Sequence, residues 1–263
     1  PEIDESGDFI VRNGRHPVLE KILPLGEYVA NDLELQSNTM DKTQFMILTG
    51  PNMAGKSTYM RQNALIALLA QIGSWVPADY LKLGVIDKIF TRVGASDDLT
   101  LGQSTFMVEM IETAYILNAA TDKSFILLDE IGRGTSTYDG VAIAWSVAEY
   151  IATRVKARCI FATHYHELNV MTKTYPQIKN YRITVTEENG EIEFLRKIVQ
   201  GGASKSYGIQ VAKMAGLPSA VIRRSQDLMV KMQKDFSNNL ATRKKSDSAE
   251  LEVPQLNLFN VGE

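Results

Sequence analysis

The fold is decided by residues 45–57, which read FMILTGPNMAGKS. The first five residues are an apolar run, and the last eight fit the pattern G-x-x-x-x-G-K-[ST]. That pattern indicates a phosphate-binding loop when it stands between a strand and a helix. A stretch with the residue spacing of a helix follows, from about Lys56 to Ile72. The segment therefore predicts a strand, a glycine-rich loop and a helix.

The residue types of this loop suit phosphate chemistry. Glycines let successive backbone N–H groups converge on phosphate oxygens, and the helix N-terminus adds partial positive charge. We expect Lys56 to reach the β- and γ-phosphates and the Ser57 hydroxyl to bind Mg²⁺. The alternative is a glycine turn that only caps a core helix. The predicted nucleotide-binding residues are Gly50, Pro51, Asn52, Met53, Ala54, Gly55, Lys56, Ser57 and Thr58.

A second apolar strand ends in two carboxylates, since residues 125–130 read FILLDE. At the carboxyl end of a parallel strand beside the phosphate loop, Asp129 is placed to hold Mg²⁺ directly or through water. Glu130 is then free to orient or deprotonate an attacking water, which favours hydrolysis over transfer to a second substrate. The alternative is that both acids are merely solvated.

A third apolar strand ends at a histidine, His164, which we expect to contact the γ-phosphate. His166 fits equally well as a residue at a helix start, and His16 is expected to be structural. No His or Cys spacing matches a zinc site, so Cys159 is expected to be a small core residue.

Apolar strands that alternate with helices predict an α/β fold with a mainly parallel sheet covered on both faces. The first forty residues predict short strands and turns, which would make a β-rich N-terminal edge. Asn189-Gly190 indicates a hairpin between residues 183–187 and 191–198. Helices are predicted at 105–119, 138–155, 207–215 and 219–232, with a polar, disordered tail after them.

Charge and composition exclude some classes. The chain has 28 Lys plus Arg and 31 Asp plus Glu, which argues against a domain that holds DNA by uniform positive charge. The balance is uneven, because residues 1–50 hold 4 basic and 9 acidic residues, whereas residues 201–250 hold 9 and 4. A single cysteine favours a reducing compartment, and no run suits a membrane span. The first residue, Pro1, suggests a piece of a longer protein.

Three motifs resemble the ATPase domain of the MutS family of bacterial DNA mismatch repair proteins. Residues 49–62 read TGPNMAGKSTYMRQ, residues 129–137 read DEIGRGTST, and residues 162–165 read ATHY. The similarity runs from about Phe9 to Met232. The resemblance implies a P-loop NTPase of the ABC type that binds ATP or ADP with Mg²⁺ and works as a homodimer, with each nucleotide at the subunit interface.

The resemblance also implies contacts outside the loop. A serine from the partner subunit completes each site, and the matching residue is Ser104, which also suits the N-cap of the next helix. Tyr28 holds the place of an aromatic residue that stacks on adenine, unless it packs in the core. On the other face of adenine the family often has a histidine, where this chain has Arg196.

The resemblance divides the chain into an ATPase domain (1–200), a helical dimerisation element (201–236) and a disordered tail (237–263). Within the tail, QLNLF resembles the peptide that binds the bacterial sliding clamp, through Gln255, Leu256, Leu258 and Phe259. Mismatched DNA would bind to domains outside this chain, and a MutL-type protein would act downstream. The expected location is the bacterial cytoplasm, in association with the nucleoid.

The expected function is ATP binding and hydrolysis that switch a dimeric DNA clamp, with Lys56, Glu130 and His164 as catalytic residues. We expect turnover to be weak in this fragment alone. The alternatives are a related ABC-type ATPase of chromosome maintenance or recombination, a P-loop kinase and a non-hydrolysing interaction module. A kinase predicts an arginine-bearing lid, whereas Glu130 beside Asp129 favours water as the acceptor.

Overall fold

Two β-sheets and their helices make up Pro1–Tyr207, the first of two units into which the chain divides. The computed structural model describes residues 1–37, 42–93, 104–188, 191–203 and 206–231. The strands are β1 (Glu2–Asp4), β2 (Asp8–Gly14), β3 (Asn31–Gln36), β4 (Phe45–Thr49), β5 (Tyr80–Gly84), β6 (Ile89–Arg92), β7 (Phe125–Asp129), β8 (Arg158–Ala162), β9 (Ile178–Glu188) and β10 (Glu191–Gln200). The helices of this unit are α1 (Leu19–Ile22), α2 (Lys56–Gln71), α3 (Thr105–Ala119) and α4 (Thr137–Tyr150).

The larger sheet has the strand order β10-β9-β4-β8-β7-β6. Its neighbouring strands are parallel, except that β9 and β10 form an antiparallel pair. Parallel strands covered on both faces read as continuous apolar runs, as β4, β7 and β8 do. The predicted α/β class is confirmed. The carboxyl ends of β4, β7 and β8 lie at one edge of the sheet, with β8 between the other two.

Alternate residues of each strand enter two separate cores. Phe45 and Ile47 of β4 pack in a core that contains residues of α3 and α4. Met46 and Leu48 pack in the other core, with residues of α2 and of the N-terminal strands. Because side chains alternate along a strand, successive residues of β4 contact different helices on the two faces of the sheet.

The predicted β-rich N-terminal region forms a sheet of its own, with the order β1-β5-β2-β3. Strand β5 follows α2 in the chain and lies between β1 and β2, which ties the first residues to the α/β core. Phe9, Val11 and Leu33 of this sheet are fully buried in the core that contains α2. The sheet therefore covers part of one face of the larger sheet and does not extend its edge.

Arg158 of β8 connects the two sheets. Its side chain is buried, and Nη1 donates hydrogen bonds to the carbonyl oxygens of Asp8 (3.2 Å) and Gly84 (2.9 Å). Nη2 donates to the carbonyl oxygens of Val85 (3.2 Å) and Lys123 (2.8 Å). Burial lowers the pKa of Arg158 to about 10, so the guanidinium stays charged at neutral pH.

The helices follow the sequence prediction with local differences. The helix predicted at 138–155 is observed as α4, which passes into a π-helical turn at Ile151–Val155. The short helix after His164 is a 3-10 helix, His166–Lys173. Strands β9 and β10 pair as the predicted hairpin, while its turn residues, Asn189 and Gly190, lie outside the described residues.

The second unit begins at Gly208 and contains α5 (Gly208–Met214) and a further helix, α6, at residues 219–231. The carbonyl oxygen of Pro218 accepts hydrogen bonds from the backbone N–H groups of Val221 (2.9 Å) and Ile222 (3.1 Å), which starts α6. The predicted tail, including Gln255–Phe259, lies outside the described residues. In the described part of the chain, no helix has the length and apolar character needed to cross a membrane.

Candidate functional site

The phosphate loop connects the end of β4 to the start of α2. Gly50 has a φ of +147°, and a Cβ placed there would lie 2.4 Å from Cγ2 of Ile183. Gly55 is the N-cap of α2 with a φ of +108°. Both positions therefore require glycine, because other residues rarely adopt this backbone conformation. The loop leads into the N-terminus of α2, where the helix dipole favours the binding of an anion.

Lys56 is buried inside this loop. Its Nζ donates hydrogen bonds to the carbonyl oxygens of Gly50 (2.7 Å) and Pro51 (3.1 Å). Burial lowers the pKa of Lys56, and the nearby charges of Glu130 and Asp129 act in the opposite direction. The carbonyl oxygens thus contact the ammonium as the oxygens of a bound phosphate would.

Ser57 and Asp129 bring together two oxygen groups from different elements. The Ser57 hydroxyl, in the first turn of α2, donates a hydrogen bond of 2.6 Å to Oδ2 of Asp129 at the end of β7. Burial raises the pKa of Asp129, while the bond from Ser57 works against that shift.

The chemistry of this pair fits Mg²⁺. The ion prefers hard oxygen ligands, and proteins usually supply one or two carboxylates while water and phosphate fill the other positions. Among the described residues, no group of three or more His, Cys, Asp or Glu side chains lies together in a way that would hold a metal ion. Ser57 and Asp129 therefore suit an ion that is held jointly with a nucleotide.

Glu130 lies at the same edge of the sheet and has a φ of +57°. Its Oε1 lies 2.5 Å from Nε2 of His164, and the same nitrogen lies 2.8 Å from Oδ1 of Asn52. Because both partners are oxygen acceptors, Nε2 of His164 carries the hydrogen. The other carboxylate oxygen of Glu130 pairs with Arg133.

The environment keeps Glu130 ionised. Burial opposes ionisation, but the hydrogen bond from His164 and the charges of His164, Arg133 and Lys56 outweigh it and lower the pKa of Glu130. A carboxylate fixed on two sides and only partly exposed is suited to orient a water molecule or accept its proton.

A cavity of about 290 Å³ opens beside the phosphate loop. Tyr28 lines it together with Met53, Thr58 and Arg196. The Tyr28 hydroxyl donates a hydrogen bond of 2.6 Å to Oε1 of Gln62, and burial raises the pKa of Tyr28. The structure thus brings Tyr28 and Arg196, which are distant in sequence, to one cavity that Gly55 and Thr58 also line.

Ser104 is the exposed N-cap of α3. Its hydroxyl oxygen accepts a hydrogen bond of 3.2 Å from the backbone N–H of Met107, as expected of a serine at this position. Because the side chain is exposed, it is accessible to a second molecule. The residues immediately before it, 101–103, lie outside the described residues.

The remaining histidines and the cysteine lie in other parts of the described chain. Nδ1 of His16 accepts backbone hydrogen bonds of 3.3 Å from Val18 and Leu19 at the start of α1. His166 begins the 3-10 helix. Cys159 is buried in β8, and burial raises the pKa of its thiol.

The sequence patterns do not point to Arg133 or Glu109. Both line a cavity of about 320 Å³ that also contacts Asp129 and Glu130. The only sequence signal for Arg133 is its position three residues after Glu130, where a positive charge compensates the carboxylate. Glu109 carries no signal in the sequence, because an acid in the second turn of a helix is common.

Comparisons with known proteins relate the chain to one family. Residues 46–233 match the family model described as MutS domain V. Similar proteins named DNA mismatch repair protein MutS occur in several bacteria. The one from Flavobacterium johnsoniae is 54% identical over 98% of this chain and 30% of its own length. The one from Thermodesulfovibrio yellowstonii is 59% identical over 89% of this chain and 28% of its own length. A third, from Acetivibrio thermocellus, is 58% identical over 89% of this chain and 26% of its own length. The chain spans less than a third of the length of these relatives.

Proposed function

The chain belongs to the MutS family of DNA mismatch repair proteins, and on that premise we propose that residues 1–200 are its ABC-type P-loop ATPase domain. In this proposal the domain binds ATP or ADP with Mg²⁺, hydrolyses ATP, and thereby switches a dimeric DNA clamp. The names of the relatives favour mismatch repair over other ABC-type ATPases and over a P-loop kinase.

One observation carries the proposal: the hydrogen bond between Ser57 and Asp129, at the edge of the sheet where Lys56 and Glu130 also lie. Four residues predicted to act together come from α2 and from the end of β7, and they converge at the carboxyl ends of parallel strands. Ligands of α/β proteins bind at such edges. A glycine turn that merely caps a core helix would not require this convergence.

Each residue has a proposed task in hydrolysis. Lys56 exchanges its carbonyl partners for the β- and γ-phosphate oxygens, and Ser57 and Asp129 hold Mg²⁺. Mg²⁺, when bound, neutralises charge that develops on the phosphates. Glu130 orients the attacking water and accepts its proton. His164 donates a hydrogen bond to Glu130 and contacts the γ-phosphate, and Arg133 holds the other carboxylate oxygen.

The nucleoside is proposed to occupy the cavity next to the loop, with adenine stacked on Tyr28. Arg196 takes the place of the histidine that the family often has on the opposite face. An arginine guanidinium stacks on flat aromatic groups, so the replacement is chemically reasonable. The location of both side chains in the same cavity supports this arrangement.

The proposed assembly is a homodimer in which Ser104 contacts the nucleotide of the partner subunit. Residues 201–236 would form the helical dimerisation element, and residues 237–263 would be a tail that docks on the sliding clamp. Mismatched DNA would bind to other domains of the full-length protein, which would pass a signal to a MutL-type partner. We place this protein in the bacterial cytoplasm, in association with the nucleoid.

The proposal is tested with phosphate release and nucleotide binding in the full-length protein. Glu130→Ala should retain ATP binding and stop turnover, whereas Lys56→Ala should weaken binding itself. Parent protein should release phosphate from ATP without any added acceptor, which distinguishes hydrolysis from a kinase reaction. Wild-type turnover in Glu130→Ala would refute the assigned role, and unchanged affinity in Lys56→Ala would refute the phosphate-loop assignment.

A further inference from the structure

Glu109 joins three elements around the candidate site. Its side chain is 9% exposed, and Oε1 accepts a hydrogen bond of 2.6 Å from the backbone N–H of Gly132. Its Oε2 lies 3.7 Å from Nη2 of Arg92, the last residue of β6. Gly132 follows Glu130 by two residues. A single buried carboxylate therefore links α3, β6 and the loop that carries Glu130.

The peptide groups of Gly132 are held from two sides. Its N–H is bound by Glu109, and its carbonyl oxygen accepts a hydrogen bond of 2.8 Å from the hydroxyl of Tyr165. Gly132 has a φ of +88°, and a Cβ placed there would lie 2.5 Å from the carbonyl oxygen of Gly140. A shift of the loop at this point would therefore break one of these contacts or move Glu109 and Tyr165 with it.

A second contact ties the first turn of α3 to the same loop. A Cβ placed at Gly134 would lie 2.9 Å from Cβ of Phe106, so the loop backbone packs directly on α3. Ser104 is the N-cap of this helix and Glu109 follows it by five residues, about 7.5 Å along the helix axis. Displacement of Ser104 along the helix would therefore be transmitted to the loop of Glu130.

We infer that Glu109 is a positioning residue that couples the two nucleotide sites of the dimer. The inference rests on the proposed function, in which Ser104 contacts the nucleotide of the partner subunit and Glu130 acts on the nucleotide of its own chain. Contact of Ser104 with the partner's nucleotide fixes α3, and Glu109 passes that position to Gly132 and Glu130. Each site then becomes competent when the opposite nucleotide is engaged.

Glu112 provides a matched control on the same helix. It pairs with Arg92 through a 2.8 Å contact between Oε2 and Nε, but its side chain is 51% exposed. Glu109→Leu removes the acceptor for Gly132 while Arg92 retains Glu112. Glu109→Gln keeps an oxygen that accepts from Gly132. Together with Glu112→Leu, which removes the exposed partner of Arg92, these variants separate the hydrogen bond to the loop from charge pairing with Arg92.

The experiment uses heterodimers of the full-length protein, with a different affinity tag on each subunit. One subunit is the inactive partner and carries either Glu130→Ala, which retains ATP without hydrolysing it, or Lys56→Ala, which leaves its site without nucleotide. Glu109→Leu is placed in the other, active subunit, whose Ser104 contacts the nucleotide of the inactive partner. We expect kcat of the parent active subunit to fall about tenfold or more when the partner site loses its nucleotide. Glu109→Leu should give this low kcat with both partners, since the buried N–H of Gly132 loses its acceptor and the partner's nucleotide no longer affects Glu130. ATP affinity should stay within about twofold of the parent heterodimer, because the interaction acts in the transition state. Glu109→Gln and Glu112→Leu should retain most of the activity.

The dependence of turnover on the partner's nucleotide decides the inference. If Glu109→Leu lowers kcat and kcat still falls about tenfold when the partner's nucleotide is lost, Glu109 merely supports its own loop and the coupling role is overturned. Unchanged turnover in Glu109→Leu with both partners, or a parallel loss of ATP affinity and melting temperature, would also overturn the coupling role. A Ser104→Ala homodimer with normal turnover would overturn the proposed trans contact, and the inference with it. Loss of ATP binding in Lys56→Ala and of turnover in Ser104→Ala, with no dependence of the active subunit on the partner's nucleotide, would overturn the inference alone.

Discussion

The Ser57 hydroxyl donates a hydrogen bond of 2.6 Å to Oδ2 of Asp129 and thereby joins the start of α2 to the end of β7. Strand β8 separates the strand of the phosphate loop from the strand of the acids. The side chains of Ser57, which follows β4, and of Asp129, which ends β7, together span the width of β8. Placing a carboxylate there carries a cost for the fold, because burial favours its neutral form.

Asp129→Asn should stabilise the protein in the absence of nucleotide and abolish Mg²⁺-dependent hydrolysis. Burial raises the pKa of Asp129 above its ordinary value of 3.8, so the folded chain holds this proton more tightly than the unfolded chain does. The ionised carboxylate consequently destabilises the fold at pH values above its folded pKa. The stabilising effect should shrink as the pH falls toward 3.8, where the unfolded chain is also protonated. Thermal unfolding across this pH range measures the effect, and a lower melting temperature for the variant at pH 7 would contradict it.

Gly50→Ala should destabilise the protein and weaken ATP binding. Gly50 has a φ of +147°, and the new methyl group would meet Cγ2 of Ile183 at 2.4 Å. We expect the free energy of unfolding to fall by about 1–3 kcal/mol, as for a residue forced into a strained backbone conformation. Urea unfolding measures this change. Gly208→Ala is the control, because no atom lies within 4 Å of its added Cβ. Equal stability of the two variants would argue against strain at Gly50.

Arg158→Met should lower the free energy of unfolding by about 3 kcal/mol or more, because buried carbonyl oxygens lose their donor. From β8 of the larger sheet, the guanidinium donates to the carbonyl groups of Asp8 and Gly84 in the N-terminal sheet and to those of Val85 and Lys123 in loops. Arg154→Met, at an exposed position, should change stability by no more than about 0.5 kcal/mol. Urea unfolding of the two variants provides the comparison. A similar small change in both would mean that Arg158 contributes little to joining the sheets.

Tyr28→Ala should weaken ATP and ADP binding to a similar extent, by about tenfold or more, because stacking on a base contributes roughly 1–3 kcal/mol. Tyr28→Phe keeps the ring and loses only the hydrogen bond to Gln62, so its effect should be smaller. Equilibrium binding with a fluorescent nucleotide measures both. Unchanged affinity in Tyr28→Ala would place the base elsewhere, and Arg196→Ala tests the opposite face of the cavity in the same assay.

A peptide that spans residues 254–260 should bind the bacterial sliding clamp. Leu258→Ala combined with Phe259→Ala should abolish binding, since these residues would provide the apolar contacts of a docking peptide. Asn257→Ala is the matched control, because Asn257 is the residue of QLNLF to which the resemblance assigns no contact with the clamp. Fluorescence anisotropy of labelled peptides measures binding. Equal affinity of the double variant and the control would refute the docking role.

Much of the fold and part of the site were predictable from local sequence. The helix expected at 105–119 is observed with the same bounds, and β7 ends at Asp129 as its apolar run indicates. These features follow from neighbouring residues. The separate N-terminal sheet was not predictable, because it depends on the pairing of β5 with β1 and β2 across more than 60 residues.

Two buried charges escaped prediction for a related reason. Arg158 begins an apolar strand and looks like a residue at its exposed end, yet its partners are carbonyl groups of the N-terminal sheet and of loops. In the sequence Glu109 looks like an ordinary helix residue, because its partner, the N–H of Gly132, is brought close to it only by the fold. Buried charges are tolerated where the fold supplies partners, and such partners are distant in sequence. Local patterns therefore locate reactive groups more readily than the contacts that hold them.

The hydrogen bonds of Lys56 to its own loop have a consequence for nucleotide exchange if the proposed function holds. An incoming phosphate would then compete with the carbonyl oxygens of Gly50 and Pro51 for the same ammonium. The contribution of Lys56 to nucleotide affinity would be the difference between the two sets of bonds. On product release the lysine would return to acceptors that are already in position, and no unpaired cation would remain to hold the product. The same two carbonyl groups that satisfy Lys56 in the free loop would thus favour repeated binding and release of nucleotide.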